Sequence, residues 1–333
     1  MSRATNDAPQ TVDLLKLLYA PIERELDEAE RLLHQGLRSE YDLVDEMVKH
    51  GCSLGGKRLR PALLLLVAKA IGHVTPAHIT LAAVVEMIHT ATLIHDDVLD
   101  EAELRRHLKT CNARWDNEAS ILLGDYLFTQ AFYLTSTLNT TYACRRIGQT
   151  TNTVCEGELR QVRSSGNFKI SEAEYFSIIE AKTASLCACS CELGAHFAEA
   201  SPEIIEALGR YGLHLGIAFQ LIDDLLDVLG TENDTGKSLG TDLAKRKPTL
   251  PLIHVMQKVT SEERQRLGTL LFSPDLDSAT MLEWFERFNA LEYTKAKAQW
   301  HADQALESLV SLDENPATEV LRGLPEFVVR RSC

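Results

Sequence analysis

Over residues 22–37 apolar side chains fall at Ile22, Leu26, Ala29, Leu32 and Leu33, with charged residues between them. That three-four spacing is the period of an amphipathic helix. Comparable patterns run through 81–99, 120–138, 170–197, 203–229 and 281–309, and alternating β-branched runs are hard to find. The breaks are short: Gly55-Gly56, residues 72–76, Ser201-Pro202 and the polar stretch 230–248. The pattern predicts an all-α chain, a bundle of roughly ten or more helices whose chemistry lies where polar groups enter it.

Nothing divides the 333 residues: no composition shift, repeat or Pro/Gly/Ser-rich linker appears. The expectation is a single domain over 1–333, with residues 1–12 flexible. At 45% hydrophobic residues the chain can bury a large core. A formal charge of −14 argues against a nucleic-acid footprint, which is basic and clustered. It also means that an anionic substrate needs cations in order to approach. Residues 1–10 are polar and lack the apolar region of a secretory signal, and the most apolar short run, 61–67, is too short to span a bilayer. The eight cysteines match no small disulfide scaffold, so reduced thiols and a cytoplasmic location are expected.

Two acidic clusters interrupt apolar helical patterns. In His95-Asp96-Asp97-Val98-Leu99-Asp100, Asp96 and Asp100 share a helical face while Asp97 points about a hundred degrees away. Asp223-Asp224-Leu225-Leu226-Asp227 repeats the spacing. Like charges so placed repel, and a buried carboxylate is costly unless paired or bound to metal. A solvated face paired with Lys or Arg is the ordinary reading of one such cluster. Two of them among Ile, Leu and Val favour hard divalent cations, with Mg2+ bringing an anionic diphosphate along.

Matching cations are present. Gly55-Gly56-Lys57-Arg58-Leu59-Arg60-Pro61 places Lys57 and Arg60 at a helix start behind a flexible Gly pair, and it lacks P-loop spacing. Arg105 and Arg106 follow the first acidic cluster, and Lys237 and Lys247 lie in the polar stretch after the second. Singly, each reads as a surface cation; their position beside the acidic clusters raises the functional reading.

With these motifs, together with HTATLIHDDVLDEAELRR, LLGDYLF, EAKTASL, FQLIDDLLD and GKSLGTDLAKRKPTLPL, the chain resembles the trans-isoprenyl diphosphate synthase (polyprenyl synthetase) family from Gly55 to Pro251. The resemblance implies a single large helical bundle of the isoprenoid synthase type with a central substrate and product cavity. It implies Mg2+-dependent head-to-tail condensation of isopentenyl diphosphate with an allylic diphosphate such as farnesyl or geranylgeranyl diphosphate. Asp96 and Asp100 would bind two Mg2+ ions and Asp223 a third, supported by Asp97, Asp224 and Asp227, with Mn2+ able to substitute. Lys57, Arg60, His89 and Arg106 would hold isopentenyl diphosphate. Arg105, Lys182, Thr183, Gln220, Lys237 and Lys247 would surround the allylic diphosphate, the Lys182 carbonyl, Thr183 and Gln220 steadying the allylic cation. A homodimer and a transient membrane contact on product release also follow from the likeness. The ending Glu326-Phe327-Val328-Val329-Arg330 is similar to a family ending whose Arg assists phosphate binding. One departure stands out: Gly and Pro usually follow Arg106, and here His107-Leu108-Lys109 do.

Cys187, Cys189 and Cys191 suggest a metal, but on a helix Cys189 points nearly opposite to the other two, so packing is favoured. Tyr126, Phe128 and Phe132 read as core residues that could line a product tunnel. Before Asp96, Thr92 and Ala91 are too small to close such a tunnel, and Met87 and Val84 lie about 13.5 and 18 Å below Asp96. Medium- to long-chain all-trans products are therefore expected, with geranylgeranyl or farnesyl diphosphate synthase as the alternative. A terpene cyclase or head-to-head synthase would not carry the Gly-Gly-Lys-x-x-Arg-Pro site, and a non-catalytic synthase subunit would lack the aspartate motifs.

Overall fold

The structure is a computed structural model that describes residues 17–229, 242, 245–273, 276 and 278–331. The flexible segment expected at 1–12, and Lys237, lie outside the described residues. A 3-10 turn, Ala20–Ile22, leads into α1 (Glu23–Gly36), α2 (Asp42–Ser53), α3 (Leu59–Ile71) and α4 (Pro76–Leu99). A two-stranded hairpin follows, β1 (Leu104–Arg105) and β2 (Leu108–Lys109), then α5 (Cys111–Arg114), α6 (Asn117–Ser136) and α7 (Thr141–Ser164). After α8 (Glu172–Ile179) comes a π turn (Glu180–Ala184), α9 (Ser185–Phe197) and α10 (Pro202–Leu229). The chain closes with α11 (Leu250–Lys258), α12 (Ser261–Leu270), α13 (Ser278–Arg287), α14 (Ala290–Glu307) and α15 (Pro316–Arg330).

Sequence explains the layering. The stretch Leu63-Leu64-Leu65-Leu66-Val67 in α3 is 0% exposed throughout, because a helix apolar on every side has no face to offer water. Full burial of each such leucine contributes about 1.5–3 kcal/mol. α9 packs on α3 and α10, α10 on α14, and α4 on α6 and α1. The core runs between these helices, and a second apolar cluster, including Phe168, Leu252, Val255 and Phe285, sits under α11 to α14. α4 starts at Pro76, where the Thr75 N–H donates to His78 Nδ1 at 2.9 Å. By length and mean hydropathy of 1.5 it could cross a membrane, but 72% of that window is buried among other helices, so it is a core helix.

Two helical patterns are interrupted. Residues 170–197 read as one continuous pattern, yet the π turn divides it. The pattern 281–309 breaks at Asn289, whose φ is 52°. The hairpin is a departure from the all-helical expectation. Its turn residues, Arg106 (φ 51°) and His107 (φ 64°), are both left-handed, as a two-residue hairpin turn requires.

Candidate active site

The first aspartate cluster fills the last turn of α4, with Asp100 as its cap. Lys182 Nζ, from the π turn, lies 3.4 Å from Asp96 Oδ2. The same ammonium donates to Glu158 Oε2 and Gln161 Oε1 of α7, each at 2.8 Å. Burial lowers its affinity for a proton, but Asp96 and Glu158 outweigh that and hold the lysine charged. Asp100 takes Lys245 at 3.0 Å and Lys247 at 3.2 Å. Burial would raise its carboxyl; the two lysines reverse that and keep it below the usual range. Asp97 faces away, is buried, and accepts Arg105 Nε at 2.9 Å and Nη2 at 2.8 Å. Spacing thus gave side-chain direction correctly: 96 and 100 share a face and 97 does not. Arg105, expected at the allylic diphosphate, closes its fork on Asp97.

The second cluster is built into α10. Arg331 donates to Asp223 Oδ1 at 2.7 Å, and its guanidinium carbon lies 4.4 Å from the centre of the Phe219 ring. Asp224 is buried and accepts the Tyr175 hydroxyl at 2.5 Å and Gln220 Nε2 at 2.9 Å. Burial, and then the neighbouring Asp242, push its carboxyl upward. Thr183 donates to Gln220 Oε1 at 2.9 Å, so Thr183, Gln220, Asp224 and Tyr175 form one chain. Asp227 accepts the Asp242 N–H at 3.0 Å. Lys247 Nζ lies 3.8 Å from Asp242 Oδ1 as well as beside Asp100, so these two residues bridge the clusters.

The Gly-Gly pair has an unexpected use. Among the described glycines only Gly166 has a positive φ, so Gly55 and Gly56 are not there to turn the chain. Arginines lie on them instead. A Cβ on Gly55 would stand 2.2 Å from Arg58 Nη1, and one on Gly56 would stand 2.4 Å from Arg106 Nη2. Arg58, left-handed at φ 52°, caps α3 and pairs with Glu30 at 2.8 Å and Glu86 at 2.5 Å. Arg106, despite the missing Gly and Pro after it, donates to the Gly55 carbonyl at 2.8 Å from the hairpin turn. Cations therefore crowd around Lys57, whose ammonium is pushed down to about 8 by burial and by Arg331 and Arg106. His89, two turns before Asp96, is driven well below its usual range by burial and by Arg60, and is neutral. Arg60 Nε and Arg331 Nη1 are buried with no hydrogen-bond partner among the described residues.

Several residues here escaped sequence reading. Glu158, Gln161, Tyr175, Asp242 and Lys245 sit in ordinary helical or polar contexts, and only their distant partners give them meaning. Arg331, not Arg330, turns inward; Arg330 pairs with Glu326 on the surface. Ala91, Met87 and Val84 are fully buried, and Thr92 returns its hydroxyl to the His89 carbonyl at 2.7 Å. Cys187, Cys189 and Cys191 are buried unpaired thiols. Among the described residues no three carboxylate, histidine or cysteine side chains converge to hold a metal ion on their own.

Comparison with known proteins gives the family. The polyprenyl synthetase family model matches residues 41–286. An octaprenyl diphosphate synthase of Escherichia coli is 38% identical over 297 residues, spanning 89% of this chain and 92% of that protein. The crystal structure of a decaprenyl diphosphate synthase from Rhodobacter capsulatus superposes with a TM-score of 0.91 at 34% identity, over 96% of this chain and 99% of that one. A polyprenyl synthase from Caulobacter crescentus, solved in complex with calcium and isoprenyl diphosphate, gives a TM-score of 0.90 at 34% identity, over 96% and 98%. The paired aspartate clusters, the cation-lined Gly-Gly loop and these matches lead to one conclusion: the chain belongs to the trans-isoprenyl diphosphate synthase (polyprenyl synthetase) family and is a prenyltransferase.

Proposed function

We propose that this prenyltransferase adds isopentenyl diphosphate head-to-tail to an allylic diphosphate and releases a medium- to long-chain all-trans polyprenyl diphosphate. The observation that carries the reading is the meeting of two acidic faces with a cation cluster that keeps spare donors, Arg60 Nε and Arg331 Nη1. Excess buried positive charge with unused N–H groups suits a multiply charged anion. Octaprenyl and decaprenyl relatives support the product class.

Asp96, Asp100, Asp223 and Asp227 offer oxygen donors only, which fits Mg2+ or Mn2+, and Mg2+ needs few protein ligands when substrate phosphates complete its shell. Calcium in the Caulobacter protein supports a divalent ion. Bound there, the metal supplies Lewis-acid neutralisation of the leaving diphosphate. The chain's own residues do the rest. Lys182, Lys237 and Lys247 hold the allylic diphosphate, and Lys57, Arg60, His89 and Arg106 hold isopentenyl diphosphate. The allylic C–O bond breaks with its electron pair leaving on the diphosphate. The Thr183 hydroxyl, the Gln220 amide and the Lys182 carbonyl steady the cation while the isopentenyl double bond forms the new C–C bond. A proton then passes to the departing diphosphate. Apolar packing excludes water that would quench the cation. A homodimer in the cytoplasm, touching a membrane as product leaves, completes the proposal.

Two measurements test the substrate assignments. Arg60→Ala should raise the KM for isopentenyl diphosphate by about tenfold or more, and Lys182→Ala that for the allylic partner. The opposite pattern rejects the two-site assignment. The Lys57 environment adds a pH prediction. Its ammonium is lost as pH rises through about 8, so kcat/KM for isopentenyl diphosphate should fall on that limb. Lys57→Arg should keep the charge and move the limb upward; an unmoved limb means another group titrates there.

A further inference from the structure

We propose that the turn of α7 from Gly157 to Gln161 is a cradle that fixes Lys182, making Gly157, Glu158 and Gln161 positioning residues of the allylic site. The proposal rests on reading Lys182 as an allylic-diphosphate ligand.

Lys182 sits in the middle of the π turn, where the Ser185 N–H reaches back five residues to the Glu180 carbonyl. The Ser185 hydroxyl covers the Ala181 carbonyl at 2.6 Å. A π turn is wider than the helix on either side, and such bulges recur at functional sites. Its extra width has to fit between neighbours. On one side is Gly157: a Cβ there would stand 2.6 Å from the Lys182 backbone nitrogen, and 3.0 Å from both Lys182 Cα and Ala181 Cβ. On the other is Gly216 of α10, where a Cβ would stand 2.7 Å from Ala184 Cα. Both obstacles are backbone, which cannot swing aside as a side-chain tip can. Only glycine on α7 allows the bulge to lie this close.

One turn of α7 also receives the side chain. Glu158 and Gln161, three apart and so on one helical face, each accept Lys182 Nζ at 2.8 Å. A carboxylate would repel a diphosphate, so Glu158 is no ligand for the substrate; its use is to aim the ammonium. Backbone and side chain of Lys182 are thus both set by five consecutive residues of α7, and the ammonium arrives 3.4 Å from Asp96. Small misplacement of such a group costs rate out of proportion to the distance moved.

Steady-state kinetics of the full chain with farnesyl and isopentenyl diphosphates test this, using Gly157→Ala, Glu158→Leu, Glu158→Gln and Gly194→Ala, with Lys182→Ala as reference. Gly194 is packed just as tightly, a Cβ there meeting the Leu64 carbonyl at 2.5 Å, but it contacts α3 and not the π turn. At a temperature where circular dichroism shows each variant folded, Gly157→Ala and Glu158→Leu should raise the allylic KM and lower kcat about tenfold, with the isopentenyl KM within about twofold. Glu158→Gln, which keeps an acceptor, should recover to within about threefold of wild type. Gly194→Ala should lower the melting temperature and leave the kinetics alone. The proposal is overturned if folded Gly157→Ala and Glu158→Leu keep wild-type constants while Lys182→Ala loses them, or if Gly194→Ala shows the same kinetic loss. Should Gly157→Ala fail to fold, the two Glu158 variants decide. A wild-type allylic KM in Lys182→Ala instead removes the assignment of Lys182, and the proposal falls with it.

Discussion

Replacing Asp96 or Asp223 with alanine is expected to lower turnover by about a hundredfold to a thousandfold or more, with helical content unchanged. The size follows from what the carboxylates face. The chain carries a net charge of −14, and a diphosphate nears either acidic face only through a cation. On the metal assignment proposed above, taking away one carboxylate removes an anchor whose strength counts most as charge builds on the leaving group. Folding should survive. Asp96 has 19% of its side chain exposed, and Lys182 keeps Glu158 and Gln161 when it goes. Asp223 is 36% exposed, so its loss leaves Arg331 short of one partner at a rim position. A chelator should abolish activity in the wild type and Mg2+ should restore it. Circular dichroism checks the fold, and turnover measured across a Mg2+ titration checks the site; wild-type turnover in either variant would sink the metal assignment.

How legible this was varies residue by residue. Asp96 and Asp100 could be read directly, because i and i+4 positions share a face whatever the helix packs against. Lys57 and Arg60 do not share a helical face in this way: α3 begins at Leu59 behind the left-handed Arg58, so Lys57 lies before the helix and Arg60 within it. Tyr175 could not be read, since nothing local distinguishes it from a core tyrosine; only its bond to Asp224 gives it a place. Glu158 likewise looks like one more charge on an amphipathic helix until Lys182 arrives from another. The π turn escaped because 170–197 keeps its apolar rhythm straight through it. Arg331 was missed by one position: at a helix end a single residue changes direction by about a hundred degrees, which is enough to exchange solvent for Asp223. The hairpin was hidden for a different reason. Left-handed turns usually announce themselves with Asn or Gly, and Arg106-His107 does not, at a backbone cost on the order of 1–2 kcal/mol per residue.

If the growing chain runs down α4, Ala91→Phe is expected to fill that path and shorten the product to about farnesyl length, from an expected wild-type product of about C30 or longer. Ala91 is fully buried and lies about 7.5 Å along the helix axis from Asp96. Below it the side chains stay modest in bulk. Met87 is also buried, and its Cε approaches to 3.5 Å the point where a Cβ on Gly36 would stand, with Leu134 Cδ1 3.4 Å from the same point. Helices α1, α4 and α6 thus meet around Met87, the side chain we propose as the floor of the path. Of the aromatic residues of α6, Tyr126 and Phe128 pack against the core and remain rival plugs for the path. Phe132 is 37% exposed, and Phe128 packs 5.9 Å from the His95 ring at the mouth of the site. Placing a phenyl ring at the buried Ala91 position costs about 1–3 kcal/mol of packing strain, less than the stability of an ordinary domain. Met87→Ala, removing the floor, should shift the distribution the other way, toward longer chains. Mass spectrometry of products formed from farnesyl and isopentenyl diphosphates reads both effects. A wild-type enzyme that already stops at farnesyl, or an Ala91→Phe variant with the wild-type distribution, would show that a helix other than α4 sets the length.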